Sequence, residues 1–362
     1  MSDCVYRAGA IGRTGRGNFG HGLHKCYSGV PNVELVAIAD DDDEGRANAL
    51  EESGAHRSYA DYYEMLEKEN LSIVSVCPRW VDCHEEMITA ALESGCHVYV
   101  EKPMTATLES ADRILNLADS MGLKIAVAHQ AAYLPQVHAV KEMIDRGRIG
   151  KILSIRATGK MDHRGGGEDM LVLGTHLFNL MRMFAGDISS VWGRVSVGGR
   201  DIEPTDVREA SEPIGWIAGN AVHGFFIFKN GTTGTFDSRR RENRDGRPYG
   251  MEIIGEDGVI AFNERASKVT LLEEDTQSPW EIEQVKSAVE LDALDLVAGN
   301  TLAIVDLVKA IEEDREPIAS GRGARAALEM IMGVYVSQLT GKRICFPLAD
   351  RSHPLAAFRQ SL

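Results

Sequence analysis

Apolar and polar positions follow two regimes along the chain. Up to about residue 128, short apolar runs alternate with segments of helical length. Val5–Ala10, Val33–Ala39, Ser72–Cys77, His97–Val100 and Lys124–Ala128 read as strands. Tyr59–Lys68, Asp82–Ser94 and Thr107–Met121 read as helices, the last two stopped by Gly95 and Gly122, where a left-handed residue ends a helix. One more helix is expected between the first two strands. This rhythm predicts a doubly wound parallel sheet, with ligands gathered at the carboxyl ends of its strands. From Ile152 the pattern turns β-rich: Ile152–Thr158, Val191–Val197, Ala218–Phe228, Gly231–Phe236, Met251–Ile254 and Gly258–Phe262. Lys229-Asn-Gly231 and Glu256-Asp-Gly258 read as hairpin turns, so this sheet is expected to be antiparallel. Helices around Ala303–Glu313 and Arg322–Leu339 follow. The expected division is a first domain at 1-128, a second domain at 129-345 and a C-terminal tail at 346-362.

Composition narrows the class. The 362 residues suit two domains, and 44% apolar with 26% charged residues is ordinary for a globular chain. No apolar run approaches the roughly 18 residues that span a bilayer. A net charge of −15 argues against nucleic acid or anionic lipid as the main partner. The six cysteines show no CxxC spacing, and no metal site is expected. Thiols of this kind, and a start lacking the basic and apolar regions of a signal peptide, read as cytoplasmic.

The chemistry begins after the first strand, at Gly9-Ala-Ile-Gly12-Arg-Thr14-Gly15-Arg-Gly17-Asn-Phe-Gly20. Glycines allow a tight turn and a close backbone approach to a pyrophosphate, and a following helix N-terminus would offer free N–H groups. Gly15-x-Gly17-x-x-Gly20 matches the dinucleotide fingerprint literally but starts late. Gly12-x-Thr14-x-x-Gly17 is better placed and is the favoured register. Asp40, ending the second strand, can accept from the adenosine ribose hydroxyls. Asp41, Asp42 and Asp43 follow it, with no nearby arginine before Arg46, so like-charge repulsion favours NAD over NADP. The three aspartates can equally cap the next helix.

At Glu101-Lys102-Pro103 the chain resembles the Gfo/Idh/MocA oxidoreductases. Further landmarks are Val76-Cys-Pro78 with His84, His97 to Pro103, Tyr133-Leu-Pro135, Gly147-Arg-Ile-Gly150, Gly174-Thr-His176 and Thr340-Gly-Lys-Arg343. The resemblance spans nearly the whole chain. It implies a Rossmann domain followed by an α/β domain with a large open sheet, a nicotinamide cofactor and a sugar or polyol substrate. It implies cofactor contacts at Pro78, His84, Glu101 and Lys102. Lys102 matches the lysine that meets nicotinamide ribose and substrate hydroxyl, and His176 matches the proton acceptor. These types suit alcohol oxidation, in which a base takes the hydroxyl proton and a cation stabilises the developing alkoxide. It also implies a dimer or tetramer joined through the second sheet.

The chain departs from the family pattern in two places. Val172 and Asn179 stand where an aspartate is common, and Ala132 stands where arginine is common. Asp169 either replaces the missing carboxylate or caps a helix; Asn179 remains a candidate substrate contact. Arg239, Arg240, Arg241, Arg244 and Arg247 form a basic cluster. It is either solvated or, through Arg240, binds an anionic substrate such as a uronate. Two other functions fit the same residues: NAD-assisted glycoside elimination with retained cofactor, and a dinucleotide-dependent sugar-binding regulator.

Overall fold

The computed structural model describes residues 5–241, 249–273, 286–289 and 294–361. The chain divides into two compact units.

The first unit comprises Met1–Tyr133, Ser211–Gly215 and Leu296–Arg325. Its sheet holds β1 (Tyr6–Ile11), β2 (Val33–Ala39), β3 (Arg57–Tyr59), β4 (Ile73–Val76), β5 (His97–Val100) and β6 (Ile125–Val127). All six strands are parallel, in the order β3-β2-β1-β4-β5-β6. Val36 to Ala39, Val74, Val76 and Val98 to Val100 are buried regardless of parity, as strands covered on both faces must be. The α-helices between β2 and β6 are α1 (Asp43–Ser53), α2 (Tyr62–Lys68), α3 (His84–Glu93) and α4 (Leu108–Met121). Side chains start three of them: Asp42 accepts from Gly45 N–H, Asp61 from Tyr63 N–H and Thr107 from Ser110 N–H.

The helix expected between β1 and β2 does not form. Residues 12–32 are turns with one 3-10 turn at Leu23–Lys25. The cause is local: Gly15, Gly17, Gly20 and Gly22 have φ of 81°, 88°, 61° and 79°, and Asn18 has 53°. Left-handed residues at this density exclude a right-handed helix. The helix N-terminus expected to face a phosphate after the glycine turn is therefore absent. A second difference is β3 (Arg57–Tyr59), a strand the pattern did not mark, whose last residue was read as the start of α2.

The second unit comprises Leu134–Ala210, Trp216–Asp295 and Ala326–Leu362. Its strands are β7 (Ile152–Thr158), β8 (Ile188–Val197), β9 (Arg200–Asp201), β10 (Arg208–Glu209), β11 (Trp216–Ile217), β12 (Ala221–Phe228), β13 (Thr233–Arg239), β14 (Gly250–Gly255), β15 (Gly258–Asn263), β16 (Val269–Glu273), β17 (Lys286–Val289) and β18 (Ile344–Cys345). The large sheet runs β17-β16-β15-β14-β7-β13-β12-β8-β18, with β9 beside β8, while β10 pairs only with β11. The β13–β7 pairing is parallel and the other pairings of this sheet are antiparallel. The helices between β6 and β8 are α5 (Pro135–Asp145), α6 (Gly167–Val172) and α7 (Gly174–Ala185). Strand alternation gives the sheet an inner face, where the Phe178 ring of α7 meets Phe226 and Phe236 at centroid distances of 5.5 and 4.9 Å. The opposite face carries His223, Phe225 and Arg239, which are exposed.

The expected boundaries change with this division. Leu296–Arg325 returns to the first unit. Residues 346–361 are no tail: Leu348 N–H donates to Glu329 Oε1 at 2.8 Å, and the Arg359 guanidinium lies 4.3 Å from the Trp216 ring centre.

Candidate functional site

In the first unit, Gly12 follows β1 directly and its N–H donates to Ala39 O at 2.8 Å, tying the turn to the end of β2. The chain then doubles back. Arg13 N–H donates to Asn18 O at 3.2 Å and Asn18 N–H to Arg13 O at 3.0 Å. Asn18 Oδ1 accepts from Gly15 N–H at 2.9 Å, closing the loop from inside. Gly15 is the open tip, with no atom within 4 Å of where a Cβ would stand. Gly17 is the opposite case: a Cβ there would lie 2.4 Å from Arg79 N. Only a glycine permits that approach between two backbones.

Asp40 is buried at the end of β2 and is already engaged. Thr14 N–H donates to both its carboxylate oxygens at 3.1 Å, Thr14 Oγ1 donates at 2.9 Å, and Asp42 N–H donates at 3.0 Å. Thr14 is thus a clamp on Asp40, its hydroxyl seated against the Gly45 backbone of α1. A cavity of about 190 Å³ opens beside Asp40, lined by Arg13, Asp41, Asp61, Tyr62 and Glu86 among others. Arg13 was not singled out from the sequence; its Nε lies 3.7 Å from Asp41 Oδ2. Arg46 turns back on its own helix, donating to Asp40 O at 2.8 Å and bonding Asp43.

The carboxyl ends of β4 and β5 carry the other candidates. His84 has no exposed surface. Its Nε2 lies 2.7 Å from Pro78 O, and its Nδ1 lies 3.1 and 3.2 Å from Pro103 O and Met104 O. Burial pushes its pKa down, against the raising effect of those carbonyls. His84, expected as a cofactor contact, pins the Pro78 loop to the loop after Lys102. Glu101 is fully buried as well. Its carboxylate accepts from His21 N–H at 3.0 Å and Lys102 N–H at 2.8 Å, and pairs with the His21 ring. Burial alone would raise its pKa, but the His21 hydrogen bond and charge hold it below the usual value. Glu101 therefore bolts the glycine segment to β5. His21 escaped the sequence reading, since nothing in its spacing marks it. Tyr99 and Asn300 brace the same point: Tyr99 OH donates to Asn300 Oδ1 at 2.7 Å, and Asn300 Nδ2 to His21 O at 3.0 Å. Lys102 is buried two residues past β5.

In the second unit, α6 and α7 are separated at Leu173, whose carbonyl accepts from the Tyr249 hydroxyl. His176 and Asn179 are buried on α7. Asp169 on α6 neither caps that helix nor shares an unbroken helix with His176. The N-cap is Gly166, and the Asp169 carboxylate accepts from Ser238 Oγ at 2.5 Å and Met161 N–H at 3.1 Å. Its Oδ1 is buried without a hydrogen-bond partner among the described residues, and burial raises its pKa against those hydrogen bonds. Arg240 lines a cavity together with Arg194, His223 and Arg239. His223 and Arg239 belong to the sheet face turned away from α7. Arg241 N–H is spent on Asp162 O. Arg244 and Arg247 lie outside the described residues.

The described residues contain no group of three or more metal-ligating side chains and no helix long and apolar enough to cross a membrane. Cys26, Cys77, Cys83 and Cys96 are buried free thiols, and Cys345 is an exposed one.

Residues 9–129 match the oxidoreductase family with an NAD-binding Rossmann fold, and residues 137–261 match the GFO/IDH/MocA C-terminal domain. Levoglucosan dehydrogenase of Pseudarthrobacter phenanthrenivorans is 25% identical over 287 residues, covering 70% of this chain and 73% of that protein. Myo-inositol 2-dehydrogenase of Thermotoga maritima is 26% identical over 275 residues, covering 73% and 78%. A solved levoglucosan dehydrogenase, in complex with NADH and levoglucosan, superposes with a TM-score of 0.79 at 21% identity, covering 95% of this chain and 100% of that one. The parallel sheet with its glycine turn, the mixed second sheet and both halves of the sequence agree: the chain belongs to the Gfo/Idh/MocA family of NAD-binding oxidoreductases.

Proposed function

We propose that the protein is a dehydrogenase that oxidises a hydroxyl of a neutral sugar or polyol with NAD, Lys102 stabilising the developing alkoxide and His176 accepting its proton. The observation that carries this reading is the clamped Asp40 cavity beside the glycine turn, on the sheet edge that also bears Lys102. The cavity fits an adenosine ribose, and the turn offers backbone rather than side chains to a pyrophosphate. When bound, the nicotinamide supplies the hydride acceptor. A lysine ammonium favours the oxyanion over the neutral hydroxyl, and Lys102 is buried at this strand end. Imidazole is the side-chain type suited to proton uptake near neutrality, and His176 supplies one.

NAD is favoured over NADP on charge. Asp40, Asp41, Asp61 and Glu86 line the cavity against the single guanidinium of Arg13. A 2′-phosphate there would face four carboxylates. The protein is cytoplasmic in this reading, and copies assemble as a dimer or tetramer through the open sheet, where Trp192 and Phe225 are exposed. Elution mass tests that assembly, and a monomer contradicts it.

The deciding experiment is NADH formation from a panel of cyclitols, anhydrosugars and aldoses, with the Lys102→Met variant beside the native protein. Turnover with NAD that collapses in the variant supports the reading. Turnover unaffected by the substitution, or product without net NADH, refutes it.

A further inference from the structure

Glu101 and Lys102 leave β5 as neighbours, and the carboxylate of the first folds back on the main chain of the second. Glu101 Oε2 accepts from Lys102 N–H at 2.8 Å. Its Oε1 accepts from His21 N–H at 3.0 Å and pairs with His21 Nδ1. Glu101 has no exposed surface, whereas the His21 side chain is 45% exposed. A buried carboxylate is costly unless donors or an opposite charge meet it. Burial pushes the Glu101 pKa up, and His21 together with the charge of Lys102 holds it down. Cys77, His84 and Tyr99 feel the same carboxylate, and burial favours the neutral form of each.

The chain makes room for this contact. Gly20 has a φ of 61°, and a Cβ there would lie 2.7 Å from Glu101 Cγ and 2.3 Å from Cys77 O. A side chain at position 20 would push Glu101 off His21. The main chain at 21 is held without help from the ring: its N–H donates to Glu101, and its O accepts from Asn300 Nδ2 at 3.0 Å. Substitution at 21 therefore removes the ring and leaves the backbone ties. Of the two residues that hold the Glu101 pKa down, Lys102 then carries most of the task. A carboxylate that leans on a lysine favours its ammonium form and offsets the field that the ammonium exerts on an alkoxide.

We propose that His21 is a positioning residue for the reaction: its ring shares the charge of the Glu101 carboxylate, which weakens the hold of that carboxylate on the Lys102 amine and leaves more of the lysine's charge to the developing alkoxide. The proposal rests on the dehydrogenase reading of Lys102 given above.

The test reads Lys102 before any turnover. Purified protein is treated with trace acetic anhydride, and acetylation of Lys102 is followed by peptide mass spectrometry against Lys229, whose side chain is 66% exposed. Acylation consumes the neutral amine, so a stronger carboxylate hold slows it. His21→Leu should slow Lys102 acetylation about threefold or more, the effect of roughly half a pKa unit. His21→Asn, which keeps an N–H donor for Glu101, should slow it less. In the Glu101→Gln protein, which has no carboxylate charge to share, His21→Leu should change nothing. NADH affinity of the His21 variants, read by fluorescence titration, should stay within about twofold of native, which shows that they fold. Their kcat should fall with the acetylation rate while KM for the sugar or polyol holds. Acetylation unchanged or faster in His21→Leu overturns the proposal, as does an equal effect of that substitution in the Glu101→Gln protein. Slowed acetylation with native kcat overturns it too. Loss of NADH affinity in both His21 variants overturns it by making the ring part of the cofactor grip. Native protein that forms no NADH refutes the dehydrogenase reading instead, and the acetylation series still decides whether His21 acts on Lys102 through Glu101.

Discussion

Gly15 and Gly17 sit two residues apart in one loop and should fail differently when given a side chain. Gly17→Ala meets two costs. At φ of 88° an L-residue pays about 1–2 kcal/mol for the left-handed region. Its Cβ would also lie 2.4 Å from Arg79 N and 2.9 Å from Arg79 Cα. Those are backbone atoms, so relief requires moving one loop off the other, an overpacking cost of about 1–3 kcal/mol. Gly15→Ala shares the first cost, with φ of 81°, and escapes the second because nothing lies within 4 Å. Urea unfolding of both variants isolates the difference as a midpoint shift at constant slope. Gly17→Ala should lose about 1–3 kcal/mol more than Gly15→Ala, and its NADH affinity, read by fluorescence titration, should fall with it. Equal destabilisation of the two variants would refute the claim that the Gly17–Arg79 approach sets the loop.

Four further outcomes follow from the geometry. Lys102→Met should lower kcat roughly 10²–10³-fold with an unchanged circular dichroism spectrum; a loss confined to KM would contradict the alkoxide role. His176→Gln should lower kcat by roughly 10²–10⁴-fold and flatten the acid limb of its pH profile; an intact limb would assign the base elsewhere. Asp40→Ser should narrow the preference for NAD over NADP measured by kcat/KM, and an unchanged ratio would count against charge as its origin. Asp169 has a pKa raised by burial, so the fold favours its protonated form and gains stability that is full below the ordinary value and lost as pH climbs through the raised one. The cost of Asp169→Asn relative to native protein should therefore shrink with rising pH, and a difference constant from pH 3 to 8 would exclude this account.

The strands and most helices were legible because apolar period and helix ends are local signals. β2 and β5 fall at Val33–Ala39 and His97–Val100 as expected, and Gly122 ends α4 in a left-handed turn. The missing helix after β1 was also written locally, in glycines whose number outweighs the usual rhythm. The site was legible only by type. Lys102 and Asp40 stand at strand ends, which alternation predicts. The partnership of Glu101 with His21, the clamp of Thr14 on Asp40 and the carbonyls around His84 join residues far apart in sequence, and no periodicity encodes such pairs. The arginine run carries no sign of which sheet face each of its members will occupy.

Gly165 and Gly166 precede α6 and Gly167 opens it, and each abuts the backbone of another stretch of chain. A Cβ would fall 2.3 Å from Arg239 O at the first, 2.6 Å from Gly219 O at the second and 2.2 Å from Ala218 O at the third. Fenced by backbone on every approach, this tripeptide has no direction in which a side chain can grow. A mutational library over residues 160–170 should accept variety at His163, whose side chain is 76% exposed, and return almost nothing but glycine at 165, 166 and 167. Diversification of this enzyme, natural or directed, has to pass around that knot.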